Sequence, residues 1–249
     1  MKHLLAAQQA QVLEQYARSR VVLAFDFDGT LAPIVTRRHA AAMRASTRKL
    51  LTQLSQVYPC AVISGRSRAD TIQKIGGIAL AEVMGNHGLE PGNVGRYAKD
   101  VSAMLPVLRK RLQGMVGIEI ENKRLSIAVH YRQARDKQKA LAAIRAAVAL
   151  LPVPVRVVSG KQLLNLLPLG APGKGQALWK LRRRLRVDRA VFVGDDITDE
   201  DVFSSGQANL LAVRVGRSKA SVAAYFLRNQ REIDRLLEQL LKLRRNRSQ

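Results

Sequence analysis

Val21 to Phe27 reads VVLAFDF, an apolar run with almost no polar alternation. A strand so patterned is buried on both faces, which suits the middle of a parallel sheet. Cys60 to Ile63, Ala190 to Val193 and Ala212 to Val215 are short buried runs of the same kind, closed by Ser64-Gly65, Gly194-Asp195-Asp196 and Gly216. Ile78 to Val83 leads into Gly85-Asn86-His87-Gly88. Helical spacing separates the runs, as at Leu50, Leu51 and Leu54 within Ser46 to Gln56. Strands alternating with helices predict a doubly wound, mostly parallel α/β sheet. Met1 to Arg20 reads as an amphipathic helix. Gln8 and Gln9 break its apolar stretch, which argues against a signal peptide.

The middle of the chain has a different rhythm. Val101 to Met115 looks helical. Gly117 to Glu121 and Leu125 to Tyr131 look like a hairpin turning at Asn122-Lys123-Arg124. In its second arm Leu125, Ile127 and Val129 alternate with Ser126, Ala128 and His130. Arg135 to Leu150 is an Ala-rich helix ended by Pro152 and Pro154. Val155 to Val158 and Leu163 to Leu167 form a second hairpin around Gly160-Lys161. Helix–hairpin–helix–hairpin describes a small α+β domain inserted in a loop of the sheet. The expected division is residues 1–95 as the first part of the core, 96–171 as the insert and 172–249 as the second part. The Arg-rich end, Arg247-Ser248-Gln249, is expected to fray.

Composition changes this picture in one respect. The chain of 249 residues is 47% hydrophobic and 24% charged, which suits a globular protein and excludes a disordered or disulfide-scaffold one. A single cysteine, Cys60, excludes an internal disulfide and fits a reducing compartment, so the cytoplasm is expected. No apolar run is long enough to span a bilayer. The net charge of +23 is unusual and points to anionic ligands or to cations on solvated helix faces. With 4% aromatic residues there is little surface for stacking bases, so no specific nucleic acid is expected as a partner.

The chemistry gathers at strand ends, where open α/β sheets bind ligands. Asp26-Phe27-Asp28-Gly29-Thr30 closes the first run and Gly194-Asp195-Asp196-Ile197-Thr198-Asp199-Glu200 closes the third. Acids there could cap helices or polar turns, a reading that suits Asp199 and Glu200 better than Asp26, Asp28 and Asp195. A hard cation such as Mg²⁺ would give buried carboxylates a reason to be there. Ser64-Gly65-Arg66 and Gly173-Lys174-Gly175 offer a hydroxyl, backbone N–H groups and a point charge to a phosphate, though either alone is an ordinary loop.

In this order the four elements resemble the haloacid dehalogenase superfamily of phosphohydrolases. The resemblance covers the α/β part, and the insert looks like that superfamily's α+β cap. GNHGLE (Gly85 to Glu90), Glu121-x-Lys123, LSIAVHYR (Leu125 to Arg132), GKGQAL (Gly173 to Leu178) and GDDITDEDVF (Gly194 to Phe203) resemble the trehalose-6-phosphate phosphatase family more narrowly. One position departs: Asn165 stands where that family usually has a glutamate on its last cap strand.

The resemblance implies Mg²⁺-dependent hydrolysis of a small sugar phosphate, trehalose 6-phosphate, to trehalose and phosphate through an aspartyl-phosphate; a monomer is expected. Asp26 would be the nucleophile and Asp28 the general acid and base, with Thr30 orienting the pair. Ser64 and Lys174 would hold the phosphoryl oxygens. Asp26, the Asp28 carbonyl and Asp195 would hold the metal, with Asp196 and Asp199 behind them. Arg66, Asn86, His87, Glu121, Lys123 and Asn165 would contact the sugar. His130 is expected to face a neighbouring strand or solvent, and Trp179 to lie in the core. Two alternatives remain at this stage: a phosphatase for another glycosyl phosphate, prompted by Asn165, and, more remotely, a basic nucleic-acid-binding protein.

Overall fold

The computed structural model describes residues 1–92, 95–160 and 162–246. The chain forms two compact units, Met1–Gly88 with Gly173–Gln249, and Leu89–Pro172. The turn expected at Lys161 and the end at Arg247-Ser248-Gln249 lie outside the described residues.

The first unit begins with β1 (Lys2–His3), α1 (Ala10–Ala17), β2 (Val21–Phe25), α2 (Ala45–Ser55), β3 (Cys60–Ile63), α3 (Arg68–Ile75) and β4 (Glu82–Met84). The second unit follows with α4 (Gly95–Arg111), β5 (Glu119–Asn122), β6 (Ile127–His130), α5 (Lys137–Val148), β7 (Val155–Gly160) and β8 (Leu163–Pro168). The chain then completes the first unit with α6 (Lys174–Leu185), β9 (Arg189–Gly194), α7 (Glu200–Phe203), β10 (Leu210–Val215), β11 (Tyr225–Leu227) and α8 (Glu232–Arg245).

In the first unit seven strands form one parallel sheet in the order β1-β11-β10-β9-β2-β3-β4. Its continuous apolar strands follow from burial on both faces. Val21, Leu23 and Phe25 pack with Leu51, Leu54, Ile233, Leu236 and Leu240 on one side. Val22 and Ala24 pack with Ala177, Leu178 and Leu181 of α6 on the other. From β2 the chain winds outward through β3 and β4, and from β9 it winds the opposite way through β10 and β11. The reversal lies between β9 and β2, the place where such sheets open a crevice at their carboxyl ends. The expectation of a doubly wound, mostly parallel sheet is borne out.

Three local expectations need correcting. The first residues are a strand and a short helix, because Lys2 and His3 pair with Tyr225 and Phe226 and bury Leu4. The pairing after Ile78 covers only Glu82–Met84. Trp179 is 44% exposed, because Ala177, Leu178 and Leu181 take the inward face of α6.

The second unit has an antiparallel sheet in the order β5-β6-β8-β7. Ile127, Val129, Leu164 and Leu166 pack against Val101, Met104 and Leu108 of α4 and Ile144 and Ala147 of α5. Because side chains alternate along a strand, Ala128 and Asn165 lie on the opposite face. Glu121 pairs with Ala128, and Ala128 with Asn165, so Glu121 shares that face.

Candidate active site

β2 and β9 are neighbours in register, Phe25 opposite Val193. The Asp26 N–H donates to the Val193 carbonyl at 2.8 Å, carrying the ladder one residue past the strand. Asp195 follows Gly194 at the adjacent strand end, so topology alone brings two carboxylates together. The chain turns away at Gly29, whose φ is +80°. A Cβ there would collide with the Asp195 carboxylate, so the turn between the two acidic strand ends needs glycine.

Carboxylate oxygens of Asp26, Asp195 and Asp199 lie within 4.8 Å of one another. Lys174, the first residue of α6, sits among them with 1% exposure. Its ammonium lies 2.9 Å from Asp26 Oδ1 and donates to Asp199 Oδ1 at 2.7 Å. The second oxygen of Asp199 accepts the N–H groups of Asp195 at 2.8 Å and Asp196 at 2.9 Å. Asp199 is therefore a strut with both oxygens occupied, tying Lys174 to the β9 turn.

Three carboxylates face one ammonium. Burial pushes Asp26 up to about 7, with the charges of Asp199 and Asp28 adding to the rise and Lys174 opposing it. Burial pushes Asp195 up to about 9, with Asp26, Asp199 and Asp196 adding. Asp196 is also raised, chiefly by burial. Burial alone would discharge Lys174, but Asp199 and Asp26 outweigh it and keep the ammonium charged.

A divalent cation fits this arrangement. Asp195 Oδ1 is buried with no hydrogen-bond partner among the described residues. Asp26 and Asp195 supply hard oxygen donors, and the cluster carries excess negative charge. Because both acids are raised, the metal-free fold holds protons that the unfolded chain, with aspartate near about 3.9, has shed. Metal-free stability therefore falls as pH rises from about 4 through 7 towards 9. Mg²⁺ is expected to raise the melting temperature more at pH 8.5 than at pH 6, measured by paired thermal melts. An equal or larger rise at pH 6 would contradict this electrostatic account.

The other expected residues fall in several places. Asp28 does not join the carboxylate cluster: its two oxygens accept from Arg66 Nη2 and Nε at 2.7 and 2.6 Å. Ser64 is buried, and its Oγ accepts the Arg66 N–H at 3.2 Å, leaving its own O–H to donate elsewhere. Thr30 Oγ1 is buried without a partner among the described residues, so the orienting bond expected of it is not formed here. Asn86 and His87 are buried in the turn after β4 with positive φ, and the ring of His87 closes over Gly65, where a Cβ would strike it.

In the second unit, Lys123 and Asn165 are buried together, with Lys123 Nζ donating to Asn165 Oδ1 at 3.3 Å. Glu121 lies 3.0 Å from His130 Nε2 across the hairpin. His130 thus faces a neighbouring strand. Two contributors were not anticipated. Asp70 binds Arg66, and Glu200 ties Arg214 to the turn of the acidic cluster. The i, i+4 spacing of Arg66 and Asp70 was the available signal for the first.

A family model described as trehalose-phosphatase matches residues 24–231. A trehalose-phosphate phosphatase of Mycobacterium marinum is 36% identical over 214 residues, covering 79% of this chain and 54% of that protein. The chain spans about half the length of the mycobacterial relatives it matches. A probable trehalose-phosphate phosphatase G of Arabidopsis thaliana is 27% identical, covering 94% of this chain and 72% of that protein. Among solved structures, the C-terminal domain of a C. albicans trehalose-6-phosphate phosphatase shares the fold, with a TM-score of 0.75 at 23% identity over 94% of this chain and 96% of that one. An Aspergillus fumigatus trehalose-6-phosphate phosphatase gives a TM-score of 0.67 at 26% identity, over 97% and 99% of the two chains.

Proposed function

The chain belongs to the trehalose-phosphatase family, and from that premise we propose that it hydrolyses trehalose 6-phosphate to trehalose and phosphate. The observation that carries this reading is the constellation of buried Asp26 and Lys174 with half-buried Asp195 at the point where the sheet reverses direction.

Asp26 is the nucleophile. Its carboxylate attacks phosphorus, forming an aspartyl-phosphate as the bond to the sugar oxygen breaks. Asp28 donates a proton to that departing oxygen. Asp28, now ionised, takes a proton from the water that attacks the aspartyl-phosphate, releasing phosphate and restoring Asp26. Ser64, through its remaining O–H, and Lys174, through its ammonium, hold the phosphoryl oxygens. Asp199 and Asp196 keep Lys174 and the β9 turn in place. Mg²⁺ held by Asp26, the Asp28 carbonyl and Asp195 supplies, when bound, positive charge that offsets the repulsion between carboxylate and phosphate.

Within the second unit, the candidates for sugar hydroxyls are Glu121, Lys123 and Asn165. Asn165 favours a second reading. An amide stands there in place of the family's usual glutamate, a change of hydrogen-bonding character on the second unit's sheet that suits a different glycosyl phosphate. Phosphate release from trehalose 6-phosphate, sucrose 6-phosphate and glucose 6-phosphate, with Mg²⁺ and with EDTA, separates the two. We expect trehalose 6-phosphate to lead in kcat/KM by on the order of 100-fold, because unpaired buried polar groups penalise the wrong sugar. EDTA should abolish the activity. A lead by another glycosyl phosphate would transfer the function to that substrate.

A further inference from the structure

Arg66 follows β3 and is 2% exposed, its guanidinium lying 5.7 Å from the Phe27 ring. Nε donates to Asp28 Oδ2 at 2.6 Å and Nη2 to Asp28 Oδ1 at 2.7 Å. Nη1 donates to Asp70 Oδ2 at 2.7 Å. Asp70 is itself anchored, its N–H donating to the N-cap hydroxyl of Ser67 at 3.2 Å. The fork therefore grips both oxygens of Asp28 while its remaining edge is braced against the first turn of α3.

Burial gives this clamp a direction. The side chain of Asp28 is 40% exposed and that of Arg66 is 2% exposed. Asp28 presents the open side, and Arg66 lies behind it. A guanidinium so placed reaches a ligand through Asp28 rather than directly.

We propose that Arg66 is a positioning residue for the acid–base step, acting on the reaction only through Asp28. This deepens the phosphatase reading and rests on it. Asp28 sits beside the Gly29 turn, and without the clamp its carboxylate would be free to rotate about its side-chain torsions. The two-point grip fixes both oxygens and leaves their outward lone pairs for the proton. As the bond from phosphorus to the sugar oxygen breaks, the proton passes from Asp28 to that oxygen and the phosphoryl group passes to Asp26. Negative charge grows on Asp28 during this transfer, so the contact with Arg66 strengthens on the way to the transition state. That is the condition for a contact to accelerate a reaction. Lysine, a point charge without the planar fork, cannot reproduce the grip.

The test is a leaving-group comparison in the Mg²⁺-loaded full chain. Phenyl phosphate and p-nitrophenyl phosphate are similar in size and carry no sugar, but phenolate needs a proton far more than p-nitrophenolate. For either ester kcat/KM reports the steps up to loss of the leaving group. Arg66→Ala is expected to lower kcat/KM for phenyl phosphate by roughly 30-fold or more, within the range of general acid catalysis, and for p-nitrophenyl phosphate by no more than about 3-fold. Asp28→Asn should show the same split. The double variant should be no worse than the worse single, as for residues acting as a unit. Arg66→Lys should not restore the phenyl ester.

Equal losses on both aryl esters would overturn the proposal in favour of a general structural or phosphate-binding role. A loss confined to trehalose 6-phosphate would overturn it in favour of a direct sugar contact. Should Arg66→Ala fail to fold, Asp70→Asn, which loosens the brace from a more exposed position, carries the same test. It should show a smaller split of the same sign, and its absence would overturn the clamp. A wild-type protein inactive on all three esters would remove the phosphatase reading and this inference together.

Discussion

Replacing Asp26 with asparagine is expected to lower turnover of trehalose 6-phosphate by about 10⁴-fold or more while leaving the fold intact. Loss of a nucleophile removes the covalent route outright, and single losses of this kind reach such magnitudes. The structural half of the expectation follows from electrostatics. Asp26 is held near 7 chiefly by burial, so the fold bears a cost when the carboxylate ionises. Asparagine has the same shape, can accept from Lys174 through its oxygen, and carries no charge to desolvate. Lys174 keeps its second partner, Asp199, at 2.7 Å. Activity should vanish while the metal-free melting temperature at pH 8 stays level or rises. Retained turnover, or a melting temperature that falls by several degrees, would show that Asp26 serves the fold rather than the reaction.

Lys174→Met should have the largest effect on stability. Lys174 is buried, and its ammonium contacts the carboxylates of both Asp26 and Asp199. Methionine fills similar space but strands those charges without compensation. Breaking a buried pair from one side costs about 3–5 kcal/mol. For a chain of this size that corresponds to a fall of roughly 10 °C in melting temperature. The fall should deepen as pH rises, because Asp26, raised to about 7 by burial, then ionises without its counter-charge. Calorimetric melts at pH 6 and pH 8 would read it. A variant that melts with the wild type at both values would mean that Lys174 is not the counter-charge of this cluster.

The parallel sheet was legible because its middle strands are buried twice over. VVLAFDF leaves no polar face, and Ala24, Ala61, Ala190 and Ala212 fill the layer against α6. The second hairpin arm of the inserted unit was legible for the opposite reason: its alternation sorts Ile127 and Val129 towards the helices. β1 was not legible, because two residues carry no periodicity and their partners stand more than 200 positions away. The stripe of Ile233, Leu236, Leu237, Leu240 and Leu241 stands in the sequence at helical spacing, although the expectations stop short of α8. Trp179 was misplaced because aromatic bulk suggested the core, whereas the inward face of α6 runs through Ala177, Leu178 and Leu181. Its ring instead lies under Arg183, whose guanidinium stands 4.7 Å from its centroid.

At the site, residue type and strand-end position singled out Asp26, Asp28 and Asp195, but not the bonds each one makes. Whether an acid faces a metal, a lysine or an arginine depends on side-chain direction. Asp199 looked like a helix cap and is one, its Oδ2 accepting the Asp196 N–H, while its other oxygen holds Lys174. Arg66 looked like a sugar contact and grips Asp28. A bond joining positions 28 and 66 is set by the adjacency of β2 and β3, which no local pattern reveals.

The central claim is that phosphoryl transfer passes through Asp26. Acid quench during turnover of trehalose 6-phosphate with Mg²⁺, followed by mass analysis of the peptide containing Asp26, tests it most directly. The account predicts one phosphoryl group on that peptide in the wild type and none in Asp26→Asn. Rapid phosphate release with the Asp26 peptide never modified, or with the phosphoryl group on another residue, would contradict it.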